Sequence, residues 1–198
     1  TGLGMNCVRF VMQYKVYEDN PNYFIRTLNK FLDICEKAKV KAVPVFFDDC
    51  IYGVNSDPVV GKQPEPLDGW FGWAWSPSTG LTMVVNPEEH EKLEAYVKDI
   101  LTRFGDDRRI LMWDLYNKPL NSPLPDASMP LLRKVFNWAR TINPVQPLTV
   151  GIWNDNEELN RFIADNSDII TFHVYANAET TLSTIRRMKQ YNRPVICT

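Results

Sequence analysis

The sequence predicts an α/β domain whose parallel sheet curls toward a barrel, and three observations carry that prediction. Six apolar, strand-like runs alternate with five helical patterns along the 198 residues, the order that builds parallel strands joined by right-handed crossovers. Strand after strand ends in polar or aromatic residues: Asp48-Asp49, Asn117-Lys118, Trp153, and His173 with Tyr175. A barrel collects its chemistry from many strand tips on one face, so the pattern suits it. No glycine-rich phosphate turn follows the first strand, as a nucleotide-binding doubly wound sheet would carry. Gly2 and Gly4 precede that strand, and neither G-x-G-x-x-G nor a P-loop occurs.

Composition narrows the class further. With 44% hydrophobic and 23% charged residues, the sequence reads as a single globular domain over 1–198 with a sizeable core. A formal net charge of −2 lacks the basic footprint of a nucleic-acid binder. No apolar run reaches the roughly 18 residues of a membrane span, and no charged-then-apolar leader is present. The chain opens at Thr1-Gly2 without a methionine, which leaves room for a leader already removed. Cys7, Cys35, Cys50 and Cys197 show no C-x-x-C spacing, which argues against zinc and redox motifs. Buried free thiols are expected, since Cys7 and Cys197 sit in apolar runs. One strand-tip histidine without H-E-x-x-H predicts no metal site, and no cofactor is expected. No repeat of 20–50 residues suggests a solenoid.

Residues 5–12 form the first buried strand, with one anomalous charge, Arg9. A core arginine is costly unless a carboxylate, structural or substrate-borne, pairs it. Residues 21–40 follow as an amphipathic helix: Pro21 suits its first turn, and Phe24, Leu28, Phe31, Leu32, Cys35 and Ala38 recur at three- and four-residue steps. The second strand, 41–47, ends in Asp48-Asp49, although Pro44 removes a ladder donor. Residues 50–86 make a long aromatic loop, and loops beyond about 15 residues are functional or disordered. Trp70, Trp73 and Trp75 argue against disorder, and their faces either stack on sugar rings or plug the top of the barrel.

Asn86-Pro87-Glu88-Glu89 is a helix start with a cap, a proline and first-turn acids. That helix runs to Phe104 and stops at Gly105. Strand 110–116 is apolar, as a strand covered on both faces must be; it turns polar at Asn117-Lys118, and Pro119 stops the ladder. After a Ser/Pro-rich loop, Pro130 opens another helix. Strand 148–153, a short helix over 157–164, strand 168–175, a helix over 181–191 and strand 193–198 complete the order.

Trp113-Asp114-Leu115-Tyr116-Asn117-Lys118-Pro119 resembles the fourth-strand motif Trp-Asp-Leu-x-Asn-Glu-Pro of the clan of retaining glycoside hydrolases, in which the Glu is the general acid/base. Phe47-Asp48-Asp49-Cys50, the run from Gly61 to Pro66, Trp75-Ser76-Pro77, the helix from Pro130 to Arg140, and the strand from Ile170 to Tyr175 are similar to a cellulase-like branch of glycoside hydrolase family 5, the cellulases and endo-1,4-β-xylanases. The resemblance covers nearly the whole chain. It implies a (β/α)8 TIM barrel in which the six strands are the second to the seventh. The first and eighth would lie before Thr1 and after Thr198, so an incomplete barrel, truncated at both ends, is expected. Its unpaired strand edges invite self-association.

By position, the resemblance implies that Arg9 and Tyr175 place the nucleophile, Asn117 meets the sugar 2-hydroxyl, His173 makes a polar subsite contact and Trp153 is a sugar platform. A satisfied core histidine is the alternative for His173. Asp48 and Asp49 match family residues at a strand tip, and either one faces the site. Retaining hydrolysis uses two carboxyls about 5–5.5 Å apart. Here the acid/base position holds Lys118, and Ile196-Cys197-Thr198 ends where the family continues with its nucleophile Glu. A lysine keeps its proton through neutral pH, where this role must give one up and take one back. The implied function is a glycoside hydrolase-type domain for β-1,4-linked polysaccharide of the cellulose, xylan or mannan class, inactive as this chain. The alternative is a catalytically dead barrel that binds carbohydrate. The expected partner is an oligosaccharide or polysaccharide, with no nucleic acid and no membrane, and the resemblance favours a secreted or periplasmic setting.

Overall fold

The computed structural model describes residues 2, 4–51, 56–62, 75–124 and 126–198. Within them the frame is one sheet of six strands, β1 (Cys7–Val11), β2 (Lys41–Asp48), β3 (Trp113–Asn117), β4 (Leu148–Ile152), β5 (Ile170–Phe172) and β6 (Val195–Cys197). Every neighbouring pair is parallel, and the spatial order follows the sequence from β1 to β6. A doubly wound sheet reverses its order at a switch point, whereas unbroken succession is the barrel arrangement.

Among the described residues seven α-helices accompany the strands: α1 (Tyr14–Asp19), α2 (Pro21–Lys37), α3 (Leu81–Val85), α4 (His90–Phe104), α5 (Met129–Ile142), α6 (Glu157–Asn166) and α7 (Ala178–Met188). The short α1 and α3 fall below the window in which helical periodicity is readable, and the sequence pattern did not reveal them. Helix α2 begins where Asn20 Oδ1 accepts the Tyr23 N–H at 2.9 Å, and it ends before Lys39, which adopts a left-handed φ of 57°. The expected start at Asn86 becomes a separate turn, because Asn86 Oδ1 accepts the Glu88 N–H at 3.2 Å, and α4 begins at His90. Helix α7 starts earlier than its apolar pattern suggests, since Asn177 caps it by accepting the Thr180 N–H at 2.9 Å.

Pro44 explains why the third strand is shorter than its apolar run. An isolated bridge joins Ala42 to Ile110, and the ladder resumes only at Val45 opposite Asp114. Without an N–H at Pro44 the pairing skips there. The core packs Phe46, Tyr96 and Trp113 edge to face or tilted between the sheet and α4, all fully buried. Trp138 on α5 is also a core residue, at 7% exposure.

Two thiols depart from expectation. Cys35 and Cys50 are buried, but Cys7 and Cys197 are exposed, because β1 and β6 are the sheet's edge strands and lack a covering layer there. All four are free. Among the described residues no helix is long and apolar enough to cross a membrane, and no cluster of His, Cys, Asp and Glu has metal-binding geometry.

Candidate functional site

The site grows from the end of β3. Strict alternation would turn Asp114 and Asn117 to opposite faces of the strand. The β3–β4 register shifts between these two residues, and the irregularity brings both to Arg9. Arg9 Nε and Nη2 donate to Asp114 Oδ2 at 2.9 and 2.7 Å, and Nη2 also donates to Asn117 Oδ1 at 2.8 Å. The Asn117 amide then donates to Asp48 Oδ1 at 2.8 Å, which also accepts the Cys50 N–H at 2.9 Å. The Trp75 indole donates to the other Asp48 oxygen. Burial pushes the Asp114 carboxyl above its usual range, while the charge and hydrogen bonds of Arg9 pull it back. Of the two partners open to Arg9, the structure supplies a structural carboxylate, Asp114.

Asp48 and Asp49 part company by alternation. Asp49 turns under the β3–α5 connection, where Oδ1 accepts the Tyr116 hydroxyl at 2.6 Å and Oδ2 the Leu120 N–H at 2.9 Å. Burial raises its pKa to about 6, against the opposing hydrogen bonds from Ser128, Tyr116 and Leu120. The folded state therefore holds this proton more tightly than the unfolded chain does, so stability falls as pH rises from about 4 to about 6, by on the order of 3 kcal/mol. In Asp49→Asn the amide can accept from Leu120 and donate to the tyrosine oxygen. Urea unfolding across that pH range should then lose the decline that the native protein shows; an unchanged slope would assign the titration to another group.

Lys118 sits in a turn of positive φ, 48°, followed by Leu120 at 65°. The turn is tied on two sides: the Trp153 indole donates to the Pro119 carbonyl at 2.7 Å, and the Leu120 N–H meets Asp49 and Ser128 Oγ. Lys118 Nζ lies 3.3 Å from the Tyr175 hydroxyl and 4.6 Å from the centre of that ring. Tyr175 itself is 82% exposed.

His173 lies beside them, 9% exposed, with neither ring nitrogen hydrogen-bonded among the described residues. Burial, then the charges of Arg9 and Lys118, lower its pKa to about 3; the Thr198 backbone offsets this slightly but makes no hydrogen bond of ordinary geometry. The imidazole is neutral at working pH, one nitrogen donating and the other accepting. Gly151 makes room for it, since a Cβ there would stand 2.5 Å from His173 Nε2. Lys118, Trp153, His173 and Tyr175 line a cavity of about 520 Å³, completed by Thr180, Ser183, Thr184 and Arg187 of α7 and by Asp155.

The family model for cellulase, glycosyl hydrolase family 5, matches residues 1–194. The chain belongs to glycosyl hydrolase family 5. No curated protein matches the sequence. Among solved structures, the chain is similar to a glycoside hydrolase at TM-score 0.62 and 12% identity, over 99% of this chain and 68% of that one. It is also similar to an endo-1,4-β-mannanase from Eisenia fetida at TM-score 0.60 and 13% identity, over 89% of this chain and 59% of that one. At such identity the likeness is one of fold, and it is the fold of an incomplete (β/α)8 barrel.

In this family 5 chain the structure joins Arg9, Asp48, Trp75 and Asn117 in one network and sets Lys118, Trp153, His173 and Tyr175 around the adjoining cavity. Asp49 lies apart, beneath the turn, and Trp70 and Trp73 fall outside the described residues. Sequence reasoning passed over Asp114, although a charge inside an apolar strand is the signal that singled out Arg9. It also passed over Gly151 and the face of α7, whose roles depend on contacts between distant segments.

Proposed function

We propose that this family 5 chain binds β-1,4-linked saccharide of the cellulose, xylan or mannan class across its strand tips and, with lysine at position 118, does not cleave it. The observation that carries this reading is Lys118 itself. Its ammonium rests against Tyr175 at the end of β3, where the family motif has its acid/base carboxyl. A general acid must release a proton to the leaving oxygen and then take one from water, and an ammonium that stays charged serves neither step well. The ordered Asp48–Asn117–Arg9 network beside the cavity supports the binding half.

Calorimetric titration with cello-, xylo- and manno-hexaose tests it. Saturable binding is expected with at least one of them, weakened by about 1–2 kcal/mol in Trp75→Ala, the loss of one aromatic platform. Trp138 is too deeply buried to serve as the control, because its truncation would unsettle the core; the exposed Tyr23 on α2 serves instead. An unchanged affinity in Trp75→Ala removes the platform, and no binding to any of the three removes the function.

A further inference from the structure

We propose that Asp48 is a positioning residue of the saccharide site, which aims the Trp75 ring before a ligand arrives and makes no contact with the sugar itself. The role rests on the saccharide-binding reading above and adds the residue on which the shape of that site depends.

The Asp48 carboxylate has little left to offer a ligand. It is 1% exposed at the end of β2. Among the described residues Oδ1 accepts the Asn117 amide at 2.8 Å and the Cys50 N–H at 2.9 Å, and Oδ2 accepts the Trp75 indole N–H. A sugar hydroxyl at Oδ1 would have to displace one of two buried donors and leave it unpaired, which costs more than the new bond returns. Trp75 is placed the other way round. It keeps 39% of its surface exposed, and with the N–H engaged it presents ring surface to a ligand.

The chain that carries Trp75 is fastened to the same strand tips. Ser78 accepts the Asp48 N–H at 2.5 Å and donates its own N–H to the Asp48 carbonyl at 3.1 Å. Its hydroxyl donates to the Met12 carbonyl at 2.9 Å and accepts the Tyr14 N–H at 3.3 Å, while the Gln13 amide donates to the Pro77 carbonyl at 3.0 Å. The backbone thus delivers Trp75 to the tips of β1 and β2, and the Asp48 carboxylate sets the ring. A side chain fixed in advance spares the cost of immobilising it on binding. The same carboxylate holds the Asn117 amide, whose oxygen is on Arg9, so platform and amide turn on one group.

Asp48→Asn separates the two duties. Its carbonyl oxygen stays on the Asn117 amide and the Cys50 N–H, since the flipped amide would face two donors there, and the new NH2 then meets the Trp75 N–H donor to donor. Heteronuclear magnetic resonance of the six tryptophan indoles reads the first effect. In the native protein the Trp75 signal, assigned by its loss in Trp75→Ala, should be protected from solvent exchange about 10- to 100-fold, the worth of a hydrogen bond to a charged group. In Asp48→Asn that protection should vanish, while the indoles of Trp113 and Trp153, bonded to Gln146 and Pro119, keep their shifts. Calorimetry reads the second effect, with whichever of cello-, xylo- and manno-hexaose the native protein binds. Affinity should fall about 3- to 10-fold in Asp48→Asn, and the same change should cost less than about 2-fold when added to Trp75→Ala. Equal losses in both backgrounds overturn the proposal, because Asp48 would then act other than through the ring. Unchanged affinity overturns it as well, and so does an unprotected Trp75 indole in the native protein, a measurement that needs no Asp48 variant to fold. All three results leave the saccharide reading standing, whereas a native protein that binds none of the hexaoses removes both.

Discussion

Arg9→Met should destabilise the fold by about 3–5 kcal/mol at neutral pH, the usual consequence of leaving one partner of a buried ion pair alone. Asp114 is fully buried, and the side chain of Arg9 is 22% exposed, so solvent cannot take over the pairing. The substitution removes both guanidinium hydrogen bonds to Asp114 and the one that orients the Asn117 amide. The loss should depend on pH. Burial already lifts the Asp114 carboxyl, and Arg9 is the first of the forces holding it down. Without Arg9 the folded variant binds a proton more tightly than its unfolded chain, so its stability falls as pH rises through that elevated value. The deficit against the native protein is therefore largest at neutral pH and shrinks in acid, where Asp114 is uncharged. Adding Asp114→Asn should recover much of the neutral-pH loss. Urea unfolding at acidic and neutral pH measures all three proteins. A deficit of equal size at both, or a double variant no better than the single, would mean that the pair is not what holds this end of the sheet.

Lys118→Glu should carry the largest gain in function. In the protein extended through an eighth strand, with a Glu placed after Thr198, it should raise hydrolysis of an unactivated β-1,4-glucan or xylan by about 10²–10⁴-fold, the usual worth of a positioned general acid/base. The product should retain its anomeric configuration, as the two-carboxylate double displacement requires. The surroundings favour this outcome. The turn carrying residue 118 is tied through Pro119 and Leu120, and neither tie involves the lysine side chain. The exchange forfeits the hydrogen bond from Lys118 Nζ to the Tyr175 hydroxyl and the cation–π contact with the same ring, the latter worth about 0.5–1 kcal/mol at an exposed site. Reducing-sugar release and nuclear magnetic resonance of the fresh product read out rate and configuration. No gain in rate, or an inverted product, would show that position 118 does not face the scissile bond.

The fold was legible because buried parallel strands announce themselves as apolar runs, and because their tips change character abruptly, as at Asn117-Lys118. That Asn117 and Lys118 stand at a strand end was legible for the same reason. What escaped depends on three dimensions. The register shift that turns Asp114 and Asn117 to one side has no local signature, and neither does the division of labour between Asp48 and Asp49. Gly151 reads as an unremarkable strand residue until the His173 ring is seen against it. Cys7 and Cys197 looked buried because apolar neighbours do not reveal that a strand lies at an edge.

The central claim is that the strand tips hold a β-1,4-linked saccharide while Lys118 withholds proton transfer. Its most direct test is prolonged incubation of the native protein with an excess of the hexasaccharide it binds, followed by chromatography of the sugar. Saturable binding and a hexasaccharide recovered intact are expected. Catalytic formation of shorter oligosaccharides by the Lys118 protein would contradict it and place the proton donor on another residue.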